Sequence, residues 1–185
     1  MKEYPALTTE RLLLRGFTLN DAKEVQKLAG DRDVASSTLN IPHPYPDRAA
    51  EEWISTHREK FEKGSGVVFA ITTKDSPHEL VGAISLEIEI LHQRAELGYW
   101  VGRPYWNKGY ATEAAKALLK YGFEELTLNR IYSNHFTRNP ASGRVMQKIG
   151  MKYEGCLHEH IKKWDVFEDV EMYGVLKKEY KAAKD

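Results

Sequence analysis

The chain has 185 residues, with 27 Lys and Arg side chains against 27 Asp and Glu side chains. This length predicts one domain over residues 1–185 with a sizeable core, and the balanced charge gives no bulk attraction to nucleic acid or to an anionic membrane. Cys156 is the only cysteine, which excludes an intrachain disulfide and a cysteine-based zinc site and indicates a reducing, cytoplasmic protein.

Apolar periodicity predicts the element order β-α-α-β-β-β-α-β-α-β-β. In chain order the elements are a strand (12–17), two helices (22–29, 47–63), three strands (67–73, 80–90, 94–101), a helix (112–126), a strand (130–135), a helix (139–150) and two strands (152–158, 166–176). Alternate prolines make residues 40–46 a stiff loop, and residues 177–185 are expected to be a frayed tail. This order predicts an α/β domain of three layers, α/β/α, with a mixed, mostly antiparallel sheet.

No targeting or membrane segment is expected. Residues 1–17 reach charged side chains at once and lack the apolar core of a signal peptide. No apolar run approaches the roughly 20 residues that a membrane-spanning helix needs. We therefore expect a cytoplasmic protein.

The segment R-P-Y-W-N-K-G-Y-A-T-E-A, residues 103–114, joins a predicted strand to a predicted helix. The first N–H groups of a helix are unpaired and lie at its positive end, so the backbone alone can bind a phosphate there. Gly109 permits close approach, Ala111 is small, and Lys108 adds charge. Neither G-x-x-x-x-G-K-[ST] nor G-x-G-x-x-G is present, which argues against nucleoside triphosphates and dinucleotides. The turn alone leaves an ordinary helix start as an alternative.

Several ordered motifs surround this turn. They are T-x-R-L-x-L-R (9–15), E-L-G-Y-W-V (96–101), N-P-A-S (139–142), E-G-x-L (154–157) and D-V-x-x-Y (169–173). With the turn, they resemble the GNAT superfamily of acyl-CoA-dependent N-acetyltransferases, and within it the Rim group of ribosomal-protein N-terminal acetyltransferases. The resemblance implies a GNAT-like sheet splayed between its fourth and fifth strands, where acetyl-CoA inserts with its pyrophosphate on the glycine turn.

The resemblance also implies which residues contact the cofactor. The family pattern Q/R-x-x-G-x-G/A falls on residues 106–111, and Trp106 stands where the superfamily usually has Arg or Gln, a change that is familiar in the Rim group. The N–H of Val101 is implied to face the thioester carbonyl. The implied contacts are Val101, Asn107, Lys108, Gly109, Tyr110, Ala111, Thr112, Asn139 and Ser142.

Acetyl transfer to an amine needs a neutral nucleophile, a donor for the developing oxyanion and a proton for the thiolate. The N–H of Val101 suits the oxyanion. In much of the superfamily, a tyrosine seven residues after the helix-starting Asn serves as the general acid. Counting from Asn139, this position holds Met146, which cannot donate a proton. Ser142 lies one helical turn before Met146 and is the candidate acid; an ordinary first-turn residue is the alternative.

Three further residues are site candidates. Glu96 shares a strand face with Gly98 and Trp100 and is a candidate base or water-positioner, with a solvated charge as the alternative. By resemblance, the acceptor side comprises the prolyl loop, the second helix and the last two strands. Tyr45 and Trp164 are candidate walls of this substrate site, with core packing as the alternative.

The leading interpretation is transfer of an acetyl group from acetyl-CoA to a primary amine, with a protein N-terminal amine as the expected acceptor. Two alternatives remain: a CoA-binding sensor or partner module with little catalysis, and a detoxifying N-acetyltransferase for a small molecule. No metal site is expected, because His158 and His160 with Glu159 pointing away do not form one. A homodimer is compatible with this interpretation.

Overall fold

A computed structural model describes residues 3–182 as one eight-stranded sheet flanked by helices. The strands are β1 (Leu7–Thr8), β2 (Leu12–Arg15), β3 (Gly66–Thr73), β4 (Leu80–Glu89), β5 (Arg94–Val101), β6 (Arg130–Phe136), β7 (Lys152–Lys163) and β8 (Val166–Leu176). The helices are α1 (Ala22–Ala29), α2 (Arg32–Ser37), α3 (Ala49–Lys63), α4 (Tyr110–Glu124), α5 (Pro140–Lys148) and α6 (Lys177–Ala182). None of the helices in this described part has the length and apolar character that crossing a bilayer requires.

The strand order is β1-β2-β3-β4-β5-β6-β8-β7. Strands β5 and β6 are parallel, and the other neighbouring strands within residues 3–182 are antiparallel. This arrangement confirms the predicted mixed, mostly antiparallel sheet. Helix α1 and strand β5 have the bounds predicted from the sequence, because their apolar spacing is regular up to both ends.

The sheet opens between β5 and β6. Their pairing begins with Arg94 opposite Arg130 and ends with Glu96 opposite Tyr132. Just beyond this point, the hydroxyl of Ser133 donates to the carbonyl of Leu97 at 2.7 Å in place of a backbone bond. The predicted splay between the fourth and fifth strands is this gap; the short β1, which was not predicted, raises both strand numbers by one.

Two apolar clusters hold the layers together. The larger includes Leu118 and Phe123 of α4 with Met146 of α5, and the smaller includes Val25 of α1 with Ile54 of α3. Full burial of such a side chain contributes about 1.5–3 kcal/mol. Met146 is fully buried, so the residue that replaces the superfamily's tyrosine belongs to the core.

Helix α2 was not predicted from the sequence, because it has only six residues. Its N-terminus is stabilised by Asp31, whose carboxylate accepts from the N–H groups of Asp33 and Val34. The helix ends at Ser37 and so positions this residue and those after it, which line the cavities described below.

The C-terminal part also corrects the sequence prediction. Residues 177–182 form α6 rather than a frayed tail, and an ion pair of 2.6 Å joins Glu179 of this helix to Lys152 of β7. Residues 183–185, the end of the predicted tail, lie outside the described residues. Strand β7 continues past the predicted end at residue 158, and a bulge between Leu157 and Ile161 interrupts its alternation there.

Candidate active site

Strand β5 turns unpaired backbone groups toward the gap. Gly102 N–H donates to the carbonyl of Val81 at 2.9 Å, and Val101 lies opposite Gly82. This register makes Val101 and Gly82 a non-hydrogen-bonded pair, so the N–H and carbonyl of Val101 point away from β4. The N–H that the resemblance assigns to the thioester carbonyl is thus directed into the gap. The Val101 carbonyl accepts from the indole N–H of Trp106 at 2.7 Å.

The glycine turn presents the N-terminus of α4 to the same gap. Asn107 and Gly109 have φ values of 61° and 80°, and the first helical bond runs from Glu113 N–H to the Gly109 carbonyl at 3.0 Å. No side chain caps this helix. The N–H groups of residues 110–112 therefore stay available beside a cleft of about 380 Å³, and this donor set fits a pyrophosphate.

The cofactor cleft is lined by most of the predicted contact residues. Those that line it are Val101, Asn107, Gly109, Tyr110, Ala111, Thr112, Asn139 and Ser142. Lys108 is not among them: its ammonium group lies 5.5 Å from the ring centre of Tyr105, and its carbonyl accepts from Arg11 at 3.0 Å. The sequence placed Lys108 correctly in the turn but could not show which way its side chain points.

The N-terminal motif fixes the turn. The guanidinium of Arg11 pairs with Glu113, in the first turn of α4, at 2.7 Å. Thr9 and the Arg11 N–H donate to the same carboxylate at 2.6 and 2.8 Å. No role was predicted for these residues; the available signal was an acidic first helical turn and the T-x-R motif.

Helix α5 places Ser142 beside β5. Asn139 occupies the N-cap position but makes no capping bond, and its amide instead donates to the carbonyl of Ser37 at 3.4 Å. The hydroxyl of Ser142 lies 2.7 Å from the hydroxyl of Tyr99. Burial raises the pKa of Tyr99 to about 12, although the hydrogen bond with Ser142 acts in the opposite direction. Tyr99 was not among the candidates for a chemical role.

A second cavity, of about 460 Å³, lies on the α1 and α3 side of the sheet. Its lining includes Tyr45 and Trp53 together with Glu87 and Glu96 of neighbouring strands. Tyr45, which was predicted to belong to the acceptor side, is in this lining, and its role stays a prediction. We call this space the acceptor cavity, after the role proposed for it below.

Glu96 lies inward, in contact with Asn134, whose amide donates to the carboxylate at 2.8 Å. Burial raises the pKa of Glu96, the hydrogen bond from Asn134 opposes this, and the charges of Glu87 and Glu89 raise it further. A carboxylate with a raised pKa is a stronger base. The exposed charge considered from the sequence is therefore not what the structure shows.

Trp164 is placed differently from the prediction. It is 42% exposed, does not line either cavity, and packs near the ring of His43 at 5.8 Å between ring centres. The residue before it has the closer connection to the site. The buried ammonium group of Lys163 donates to the carbonyls of Leu39 and Ile41 at 3.2 and 2.7 Å.

These carbonyls belong to residues 36–41, which we call the wall segment because most of it lines the acceptor cavity. Two further donors hold the segment: the guanidinium of Arg138 contacts the Ser36 carbonyl at 2.8 Å, and Asn139 contacts Ser37 as described. The wall segment is therefore attached to α5 and β7 through its own carbonyl groups.

The cofactor cleft and the acceptor cavity share part of their lining. The residues common to both are Ser37, Thr38, Tyr99, Trp100 and Ser142. A thioester in the cleft and an amine in the cavity would therefore meet beside Tyr99 and Ser142. The boundary itself carries the hydroxyl groups of these two residues, while the Val101 N–H lies in the cofactor cleft and the half-buried carboxylate of Glu96 lies in the acceptor cavity.

Within residues 3–182, three potential metal ligands approach one another: Cys156, His158 and Asp169 have ligand atoms within 4.8 Å. This group was not predicted, because Glu159 adopts a φ of 47° in the bulge of β7 and so interrupts the regular alternation of the strand. Both oxygens of Asp169 already accept bonds, from Glu159 N–H at 2.7 Å and His158 Nδ1 at 2.9 Å. These bonds stabilise the bulge, and we assign the group no ion.

Comparison with known proteins agrees with this geometry. The model of the family described as Acetyltransferase (GNAT) domain matches residues 11–152. The N-acetyltransferase p20 of Bacillus licheniformis, described as uncharacterized, is 34% identical over 176 residues, which is 94% of this chain and 97% of that protein. The ribosomal-protein-serine acetyltransferase of Escherichia coli (strain K12) is 32% identical over 113 residues, covering 60% of this chain and 62% of that protein.

The crystal structure of a GNAT-family acetyltransferase from Bacillus anthracis superposes with a TM-score of 0.83 at 30% identity. The superposition covers 94% of this chain and 99% of that one. The family match includes β5, the glycine turn and the helix that carries Ser142. The chain thus belongs to the GNAT family and is an acetyl-CoA-dependent N-acetyltransferase.

Proposed function

We propose that the amine acetylated by this enzyme is a protein N-terminus and that the shared boundary of the two cavities is where the acetyl group is transferred. The observation that carries the proposal is that Ser142 lines both the cofactor cleft and the acceptor cavity. Acetyl-CoA enters between β5 and β6, and the amine approaches from the opposite side of the sheet. No covalent intermediate with the enzyme is required.

The cofactor is held chiefly by backbone groups. The N–H groups of residues 110–112 bind the pyrophosphate at the positive end of α4, and Asn107 and Gly109 shape the turn around it. Asn139 contacts the cofactor from the start of α5. Lys108 contributes long-range charge rather than a direct contact, because it does not line the cleft.

Three groups carry the chemistry. Glu96 accepts the proton of the attacking amine through water in the acceptor cavity, since it lies five residues before Val101 on β5, and its raised pKa makes it suited to this role. The N–H of Val101 donates to the oxyanion, a contribution worth about 3–4 kcal/mol at a comparable site. The hydroxyl of Ser142 donates to the departing sulfur in place of the tyrosine that Met146 replaces.

Charge and size support a peptide terminus as the acceptor. Glu87 and Glu96 lie opposite each other on β4 and β5 and both line the cavity, but Glu87 already pairs with Lys60 at 2.9 Å. Glu96 is therefore the carboxylate that attracts an ammonium group before it is deprotonated. A cavity of about 460 Å³ lies within the size range of small-ligand sites and accommodates a short end of a chain. The name of the Escherichia coli relative supports the same class of acceptor.

A panel of amines tests the proposal. A peptide with a free N-terminal serine and an internal lysine would be compared with the same peptide carrying a blocked N-terminus, and with spermidine as a polycationic amine. Thiol release from acetyl-CoA would be followed, and mass spectrometry would locate the acetyl group. We expect acetylation of the free N-terminal amine.

Two results would contradict this expectation in different ways. Faster turnover of spermidine, or acetylation of the lysine alone, would replace the protein N-terminus by another amine. Tight binding of acetyl-CoA without thiol release for any amine, peptide or cell-extract protein would instead favour a CoA-binding module with little catalysis.

A further inference from the structure

Tyr99 contacts Ser142 where the two cavities meet. The phenol oxygen lies 2.7 Å from Ser142 Oγ and 3.1 Å from the carbonyl oxygen of the same residue. In the described part of the chain, Tyr99 is the hydrogen-bond partner of the serine hydroxyl. The direction in which the O–H bond of Ser142 points therefore depends on which of these two oxygens accepts the proton of Tyr99.

A phenol has one proton to donate, so two arrangements compete. When Tyr99 donates to the Ser142 carbonyl, the serine hydroxyl donates back to Tyr99 and its proton points away from the cofactor cleft. When Tyr99 donates to Ser142 Oγ, the serine proton is free to point into the cleft. The carbonyl lies in the first turn of α5, where an N–H four residues later is its ordinary partner, and it does not depend on the phenol.

The ionisation of Tyr99 suits a donor that keeps its proton. Burial raises its pKa to about 12, so the phenol is protonated at neutral pH. A thiol in water has a pKa of about 8.5, and proton transfer from such a phenol to a thiolate is unfavourable. Tyr99 can therefore hold Ser142 in place but is not the source of a transferred proton.

We propose that Tyr99 is a positioning residue for acetyl transfer: its hydroxyl donates to Ser142 Oγ and so directs the serine hydroxyl at the departing sulfur. This inference rests on the role proposed above for Ser142. In the step, the amine nitrogen bonds to the thioester carbon, the electron pair of the carbon–sulfur bond passes to sulfur, and the proton of the amine passes through water to Glu96. The sulfur leaves as a thiolate that accepts a hydrogen bond from Ser142, while Tyr99 keeps its proton.

A double-mutant cycle tests the inference, with thiol release measured for whichever amine of the panel turns over fastest. We expect Tyr99→Phe to lower kcat about tenfold, equivalent to about 1.4 kcal/mol, and to change both KM values less than about twofold, as expected for a group that acts only in the transition state. In a Ser142→Ala background, the same substitution should have no further effect, because its target is gone.

Tyr121→Phe is the matched control. It removes a phenol from a half-buried tyrosine of α4 that lines neither cavity, so kcat should stay at the wild-type value. Thermal unfolding of every variant shows whether the fold is retained. Tyr99→Phe keeps the ring and its packing, so a folded variant is expected.

The outcomes separate the two proposals. Wild-type kcat in Tyr99→Phe, with a slow Ser142→Ala, would overturn the role of Tyr99 alone. A loss from Tyr99→Phe that persists in full without the serine would overturn it too, because Tyr99 would then act by another route. Wild-type turnover in Ser142→Ala would remove the proposed serine role and this inference together, while leaving the identity of the amine unaffected.

Discussion

The indole N–H of Trp106 donates to the carbonyl of Val101 at 2.7 Å. This bond connects the glycine turn to the end of β5, the strand whose N–H is proposed to contact the oxyanion. The aromatic residue that departs from the superfamily pattern thus has a structural role of its own. The bond from Trp106 fixes the distance between the N-terminus of α4, which is proposed to bind the pyrophosphate, and the Val101 N–H, which is proposed to face the thioester.

Replacing Trp106 by Phe keeps an aromatic ring but removes the donor. A neutral hydrogen bond contributes about 1 kcal/mol, so we expect the KM for acetyl-CoA to rise about fivefold. Trp164→Phe makes the same change at a tryptophan of similar exposure that does not line the cofactor cleft, and its KM for acetyl-CoA should not change. Equal values for both variants would remove Trp106 from the cofactor site.

Gly109→Ala and Gly64→Ala form a second matched pair. Both glycines have left-handed backbone, with φ values of 80° and 69°, and alanine there costs about 1–2 kcal/mol. Both variants should lose similar stability in urea denaturation, but only Gly109→Ala should bind acetyl-CoA more weakly in calorimetry, because Gly64 ends α3 away from the cleft. Unchanged binding by Gly109→Ala would argue against a cradle built from backbone.

Glu96→Gln tests the proposed base. Because burial raises the pKa of Glu96, kcat/KM should rise with pH through a value above the ordinary one for glutamate. The substitution should lower kcat/KM about a hundredfold and abolish this rise, the acidic limb of the pH profile. The separate rise caused by deprotonation of the substrate amine should remain. Glu125→Gln, at an exposed glutamate after α4, should keep the wild-type profile. An acidic limb that persists in Glu96→Gln would assign it to another group.

Lys163→Met tests the attachment of the wall segment. Losing both bonds from a charged donor to the carbonyls of Leu39 and Ile41 should destabilise the protein by about 1.5–3 kcal/mol and loosen the acceptor cavity. We expect the KM for the amine to rise about tenfold and that for acetyl-CoA to change less than about twofold. Lys162→Met removes only an exposed pair with Asp165 and serves as the control; identical KM values in the two variants would contradict the expectation.

His57 predicts a pH dependence of stability. Burial, aided by Lys60, lowers its pKa from 6.5 to about 4, and neither ring nitrogen has a partner within the described residues. Between these two pKa values the unfolded chain binds more protons than the folded one, so the free energy of unfolding rises with pH across this window. Above the window, the contribution of His57 no longer changes with pH. The pKa difference corresponds to at most about 3 kcal/mol.

His57→Phe should remove this contribution, because Phe cannot be protonated. Urea denaturation at pH 4.5 and pH 7.5, about the two sides of the window, should show a smaller difference than the wild-type protein. His78→Phe makes the same change at an exposed histidine and should retain the wild-type difference. If His57→Phe retains it as well, another group is responsible.

The strand, turn and helix around Gly109 are predictable from the sequence because each depends on local signals: apolar alternation, a residue that tolerates positive φ, and an alanine-rich helical face. The gap beside β5 follows from the family resemblance, and the register of the sheet confirms it. The candidate positions of Glu96, Ser142 and Tyr45 all line the cavities.

What the sequence could not provide depends on side-chain direction or on distant partners. The ammonium group of Lys108 lies over the ring of Tyr105, and its carbonyl accepts from Arg11; neither contact follows from a local pattern. Trp164 lies at a hairpin turn with a φ of 48°, where alternation no longer predicts the facing side. The contact of Tyr99 with Ser142 joins residues 43 positions apart, and no local pattern reports such a contact.

The wall segment is attached through the carbonyl oxygens of Ser36, Ser37, Leu39 and Ile41. Every amino acid carries the same carbonyl, so these contacts place no demand on the side chains of the segment. Its residues can therefore be exchanged to reshape the acceptor cavity while Arg138, Asn139 and Lys163 keep it in place. Substitution libraries confined to residues 37–41 are therefore the direct route to a transferase that acetylates a different amine.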